Sequence, residues 1–315
     1  MVSKPSFENG TCGSSFSYSS LLLFSKVSKP SVENGTCGSH SIILLASPLV
    51  IPLFSHSLEM TKAELQATLN HYYDKYNRPD FIPDDPIGLV HAFDDPRDRE
   101  VIGFWVATLA WGRRATIINK GAQLIELMGG EPYRFITEHR EEDRARFADW
   151  KHRTFTYTDT LYFLEYLQRF YQENASLETA FSRHLTPEDE TIEPALIGFH
   201  NDFFSLPEAP QRTRKHVASP ARKSRCKRLC MYLRWMVRQD DRGVDFGDWR
   251  QISPSQLCLP LDVHVERQAR RLKLLKRKQT DWQAVLELTA AVRRFDPVDP
   301  SRYDFALFGM GIDSV

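Results

Sequence analysis

The chain predicts an all-α fold, and three observations carry that expectation. From Thr61 onward, apolar residues recur at helical spacings of three and four. No segment of useful length alternates apolar with polar residues as a half-buried strand would. Capping residues stand where several of the periodic runs begin or end. Hydrophobic residues make up 42% and aromatic residues 12% of the 315, enough for a real core and too many for a disordered chain.

The first expected helix covers 61–76, where Thr61 followed by Glu64 reads as a capping box. Two apolar-rich helices, 98–110 and 115–128, flank Trp111-Gly112-Arg113-Arg114, and Gly129-Gly130 stops the second. An aromatic-rich helix follows over 159–172, with Leu161, Phe163, Leu164, Leu167, Phe170 and Tyr171. Further helices are expected at 194–204, 225–238, 263–272 and 282–295.

Residues 2–14 and 27–39 are the same thirteen-residue sequence except for Phe7 against Val32, at an offset of 25. Stacked structural repeats diverge while keeping a hydrophobic pattern, so this copy reads as a translated recent duplication. Met60 looks like the natural start. The expected organisation is a non-structural extension over 1–59 and a helical domain over 60–315. The apolar run 42–54 is interrupted by Pro48 and Pro52 and is too short to span a bilayer. The expectation is a cytoplasmic protein without membrane contact.

Cys12, Cys37, Cys226, Cys230 and Cys258 form no CxxC pair, no zinc spacing and no iron–sulfur set, so buried free thiols are expected and no metal. Basic and acidic residues balance at 41 each, which says nothing about an anionic partner. Their placement says more. Arg212, Arg214, Lys215, Arg222, Lys223, Arg225, Lys227, Arg228, Arg234 and Arg238 occur with no Asp or Glu among them. Arg267, Arg270, Arg271, Lys273, Lys276, Arg277 and Lys278 form a second basic stretch. Such clustering is the footprint of a phosphate-backbone partner, against the plainer reading of a solvated cationic surface.

Two residues in these stretches carry chemistry. Lys227 falls in the first turn of a helix whose Leu229, Tyr232, Leu233 and Met236 face inward. The positive end of the helix disfavours an ammonium there and favours a neutral, nucleophilic amine. The other reading is a surface lysine that binds phosphate. Asp262 follows the stiff apolar run Leu259-Pro260-Leu261 and precedes a helix, so by itself it is an N-cap. A carboxylate pinned by backbone N–H groups can also stabilise positive charge developing at a sugar C1′. His264, one turn in, reads as structural.

The segment from Leu259 through Val263-His264-Val265-Glu266-Arg267 to Leu272 resembles the helix that carries the catalytic Asp in the helix-hairpin-helix base-excision DNA glycosylases. The chain after Met60 also resembles a bacterial family of unknown function (DUF2400 type) within that superfamily. Gly103-Phe104-Trp105, Arg212-Thr213-Arg214-Lys215-His216-Val217, Arg234-Trp235-Met236-Val237-Arg238 and Tyr303-Asp304-Phe305-Ala306-Leu307-Phe308-Gly309 carry the likeness. The separation of Lys227 and Asp262 is most similar to that in the archaeal 8-oxoguanine DNA glycosylases. The resemblance implies two helical subdomains with a cleft between them. It also implies double-stranded DNA as partner, Lys227 as Schiff-base nucleophile, Asp262 as its carboxylate, and excision of a damaged base such as oxidised guanine. Arg113 stands where these enzymes fill the gap left by a flipped base. Arg114, Arg214, Lys215, Arg222, Lys223, Arg225, Arg228 and Arg267 would contact DNA. No cofactor is implied, and a monomer is expected. Ser219-Pro220-Ala221-Arg222-Lys223-Ser224 has no glycine where the superfamily's hairpin carries them, so positive side chains would replace backbone donors. Two other classes stay open: a non-catalytic nucleic-acid binder, and a different enzyme of nucleotide or RNA metabolism sharing the fold.

Overall fold

In the computed structural model, ten consecutive residues, 100–109, are buried on every side of one helix. A helix that is apolar all round belongs in the middle of a core, and the other elements gather around it. The structure describes residues 60–314, so the expected extension and its duplicated segments lie outside the described residues.

In chain order the helices are α1 (Lys62–Tyr76), α2 (Pro96–Leu109), α3 (Arg114–Leu127), α4 (Pro132–Glu138), α5 (Tyr157–Glu173) and α6 (Glu178–Ser182). They continue with α7 (Glu193–Phe203), α8 (Lys227–Val237), α9 (Val263–Arg271), α10 (Trp282–Arg293) and α11 (Tyr303–Asp313). Short 3₁₀ turns join them, and among the described residues the sole β pairing is an isolated bridge between His152 and Phe155. The all-α expectation holds. No helix among the described residues is long and apolar enough to cross a membrane.

The local signals act as read. Thr61 and Glu64 form a reciprocal capping box, with Thr61 N donating to Glu64 at 2.8 Å. Gly129 and Gly130 take φ of 72° and 76°, the left-handed conformation that ends α3. The central α2 starts at Asp95, whose Oδ1 accepts from Arg97 N at 2.8 Å, with Pro96 at its first position. Its single buried charge, Glu100, accepts hydrogen bonds from Tyr171 Oη, Ser176 Oγ, Leu177 N and Trp249 Nε1, at 2.7 to 3.0 Å. Burial pushes this carboxyl upward and the four donors oppose that. One group thus joins α2 to α5, α6 and the segment after α8.

Three α-helices lie outside the sequence expectation: α4, α6 and α11. The first two are short. The third contains Gly309 and Gly311, which argue against a helix by propensity. Packing overrides that. A Cβ at Gly309 would lie 2.1 Å from the Tyr76 ring of α1, and one at Gly311 would lie 2.6 Å from the Cβ of His264 in α9. The glycines let α11 pass closely between α1 and α9. The buried apolar residues, from Leu69 to Met310, form one continuous cluster.

Gly311→Ala should therefore push α9 away from α11. We expect a loss of about 1–3 kcal/mol in thermal or urea unfolding, typical of overpacking against a side-chain root that cannot swing aside. Gly129→Ala has nothing to strike and should show only the cost of its left-handed backbone, about 1 kcal/mol.

Candidate active site and nucleic-acid interface

Asp262 is the N-cap of α9. Its Oδ1 accepts from His264 N at 2.8 Å and Val265 N at 2.9 Å, and Oδ2 has no hydrogen-bond partner among the described residues. Leu259, Pro260 and Leu261 are buried behind it, which anchors the entry to the helix, while Val263 stands 70% exposed at its first turn. His264 packs edge-on to Phe308, with ring centroids 5.8 Å apart, and against Gly311. Its Nδ1 is buried without a partner.

Lys227 is the first residue of α8. The turn before it contains two left-handed residues, Lys223 at φ 59° and Cys226 at φ 46°. Two side-chain-bearing residues of this glycine-free turn thus adopt the conformation that glycine usually supplies. Cys226 N is held by Ser224 Oγ at 3.3 Å, which supports the turn locally. The three described cysteines, Cys226, Cys230 and Cys258, are buried free thiols, as expected. The Lys227 Nζ lies 3.5 Å from Met231 Sδ.

No ion pair joins Lys227 to Asp262 among the described residues. Both act electrostatically on a third group, the buried Asp304 of α11. Burial pushes the Asp304 carboxyl up to about 6, and the negative charge of Asp262 adds to that, while Arg234 and Lys227 pull it back. Arg234 Nη1 donates to Asp304 at 2.5 Å. Lys227 also acts electrostatically on Asp85, together with Arg234 and Arg114. Helices far apart in sequence thus bring Lys227, Asp262, Asp304, Asp85 and Arg114 into one charged neighbourhood. Asp304 was legible only as part of a segment of family likeness, and nothing in its spacing announced a role.

The basic run sorts into two populations, and part of its sequence reading is corrected. Arg234 and Arg238 are buried and belong to the core. Arg234 meets Asp304 and also Asp245 at 3.3 Å, whereas Arg238 pairs with Asp240 at 2.7 Å, Asp299 at 2.8 Å and Asp245 at 3.0 Å. Neither is available to a phosphate, because carboxylates from distant segments already surround them. Arg212 pairs with the buried Asp159 at 3.3 Å, and Arg214 covers the Phe204 ring at 4.8 Å. In the second stretch, Arg270 pairs with Glu266, Arg277 pairs with Asp281, and Arg267 donates to Gly311 O at 2.8 Å. By contrast, the side chains of Arg113, Arg114, Lys215, Arg222, Lys223 and Arg225 have no hydrogen bond or ion pair among the described residues. Arg228 lies between the two populations, its guanidinium on the carbonyls of Thr108 and Lys215 and 5.0 Å from the Trp111 ring centroid. These contacts carry the end of α2, with the Trp111 to Arg114 turn beyond it, to the start of α8. The expected pocket is not among the prominent concavities. One groove, about 800 Å³, is lined by residues 185–190 and 250–256 and includes neither Lys227 nor Asp262.

An all-helical chain with a lysine and a capped carboxylate at two helix starts, next to unpaired arginines, defines a class but not an activity. The family model described as protein of unknown function (DUF2400) matches residues 85–313, and the chain belongs to that family. No curated protein and no solved structure matches it.

The Asp304 carboxyl gives a pH signature. Its folded pKa is raised above its unfolded value, so its contribution to stability is complete below about pH 4 and is lost as pH rises through about 6. The melting temperature of the wild type relative to Asp304→Asn, which cannot titrate, should fall across this window. The change should be about 3 kcal/mol, at 1.4 kcal/mol per pH unit. A flat difference between pH 4 and 7 would place Asp304 outside the charged neighbourhood.

Proposed function

We propose that this protein is a base-excision DNA glycosylase with abasic-site lyase activity, built on a helix-hairpin-helix plan with a base pocket between two helical subdomains. It acts as a cytoplasmic monomer on double-stranded DNA. The observation that carries this reading is that Lys227 and Asp262 both act on the buried Asp304, while Lys227 and the unpaired Arg114 both act on Asp85. A nucleophilic amine and a fixed carboxylate are the two groups that N-glycosidic cleavage needs.

Arg113, Arg114, Lys215, Arg222, Lys223 and Arg225 engage phosphates without first breaking protein ion pairs. The damaged nucleotide leaves the stack at a cost of a few kcal/mol, least for a lesion or mispair, and selectivity for a base such as oxidised guanine begins there. The Lys227 amine attacks C1′ through its nitrogen lone pair. The C1′–N bond breaks and its electron pair leaves with the base, which takes up a proton. Asp262, with Oδ1 held by two N–H groups and Oδ2 uncommitted, stabilises the positive charge that develops on the sugar. The C1′–O4′ bond of the resulting glycosylamine then opens, the ring oxygen takes up the proton shed by the nitrogen, and C1′=N forms as the imine. Loss of a C2′ proton then expels the 3′ phosphate, which breaks the strand.

Borohydride reduces such an imine to a stable amine. Incubation of the protein with borohydride and a duplex containing an abasic site or oxidised guanine should yield a covalent adduct, absent with Lys227→Gln. No adduct with the wild type, or an equal one with the variant, rejects the chemistry. Binding that weakens steeply with salt but gives no adduct would identify a non-catalytic binder instead.

Asp262→Asn separates capping from catalysis. Asn caps about as well as Asp, so melting should change by less than about 0.5 kcal/mol. Single-turnover excision should fall about 100-fold or more. A variant that loses stability and activity in proportion would leave Asp262 only its structural role.

A further inference from the structure

Arg228 is a partly buried cation without a counter-charge among the described residues. Burial lowers its guanidinium to about 10, and the only other group acting on it is the Cys226 thiol. The two buried arginines of the same helix are treated differently: Arg234 meets two carboxylates and Arg238 meets three. Burying a charge without a partner is costly, and hydrogen bonds to carbonyls relieve only part of that cost. The surroundings make it worse. Lys215, whose backbone carbonyl accepts from Arg228, carries an unpaired ammonium, and Arg225 and Arg113 nearby in sequence to these contacts are also unpaired.

The geometry around the guanidinium is built. It lies 5.0 Å from the centroid of the Trp111 ring, and one Nη donates to the Thr108 carbonyl. Trp111 is itself held: the His152 ring meets it edge-on at 4.7 Å, the His216 ring lies 5.6 Å away, and His152 Nε2 is 3.2 Å from the Trp111 carbonyl. Burial pushes the His152 imidazole towards its neutral form, with Arg153 adding to that, so it supplies no opposing charge and acts as a wall. Arg228 Nε remains uncommitted, and the residue is only partly covered.

We propose that Arg228, fixed against Trp111, is a phosphate subsite whose missing counter-charge is a phosphodiester of the bound DNA strand. This rests on the reading above that the protein engages DNA. A planar guanidinium suits the tetrahedral phosphate oxygens better than an ammonium does, and the indole next to it offers an apolar surface to the adjoining sugar or base. Charge that is unfavourable in the free protein becomes favourable in the complex.

The full-length protein and its Arg228→Gln and Arg228→Lys variants test this by melting and by anisotropy with a labelled duplex over a range of salt. Arg228→Gln keeps a donor for the carbonyls but removes the charge. It should melt at or above the wild-type temperature without DNA, bind the duplex about tenfold more weakly and lower the salt slope by about one. Arg228→Lys, which keeps the charge and loses the fork, should fall between the two in affinity. If Arg228→Gln melts far below the wild type, or binds DNA equally at all salt concentrations, the subsite is overturned. If inorganic phosphate raises the wild-type melting temperature as much as the duplex does, the anion is free phosphate and the assignment to the strand fails. Loss of binding by the wild type would instead reject the functional reading itself.

Discussion

The chain turns on two buried guanidinium groups. Arg234, in the last turn of α8, and Arg238, at its C-cap, gather Asp304, Asp245, Asp240 and Asp299 from segments up to 70 residues away. Burial works against the charge of Arg238, but Asp245, Asp299, Tyr73 and Asp240 together raise its pKa. Removing one partner from such a set leaves an uncompensated buried charge, at a cost of about 3–5 kcal/mol. This network matters beyond stability because α8 begins with Lys227 and α11 carries Asp304. Arg234 ties the two helices directly, and α11 packs on α9, whose cap is Asp262. The spacing of the lysine and the carboxylate is therefore set by ion pairs neither of them joins.

The second constraint is steric. α11 reaches the cap helix only because Gly311 leaves room for the root of His264, and it reaches α1 only because Gly309 leaves room for Tyr76. A helix chosen for close approach rather than propensity is unlike α2, whose apolar circumference suits the core directly. Glu100 inside α2 is the exception that fixes orientation, since four donors from three directions fit it in only one way. Apolar packing alone would tolerate rotation of α2. A satisfied carboxylate does not.

Local physics was legible in the sequence and long-range pairing was not. The capping box at Thr61, the stop at Gly129-Gly130 and the cap at Asp262 depend on neighbours three or four residues away, and each stands as read. Helix α11 was hidden because its glycines answer to Tyr76 and His264, which are distant in sequence. The acid-free basic run misled in part for the same reason. Nothing in the interval 212–238 reveals that Asp304 and Asp299 lie opposite Arg234 and Arg238. The turn before α8 was not legible either: it has no glycine, yet Lys223 and Cys226 adopt positive φ. Such strain, on the order of 1 kcal/mol or more at each residue, persists only where the surroundings over-determine it.

That strain and the uncompensated charge of Arg228 occur within six residues, on either side of Lys227. Asp159, by contrast, receives Thr213, Thr156, His216 and Arg212, and its carboxyl is brought down to about 2 against the effect of burial. A fold that pairs Asp159 and Arg238 so completely has the means to pair Arg228 as well. Left-handed side-chain-bearing residues and an unneutralised guanidinium both reduce the stability of the free protein. Both become intelligible if this turn is shaped for something that arrives later with negative charge. The local violations of otherwise consistent rules are therefore a better guide to where a ligand would act than the groove on residues 185–190 and 250–256.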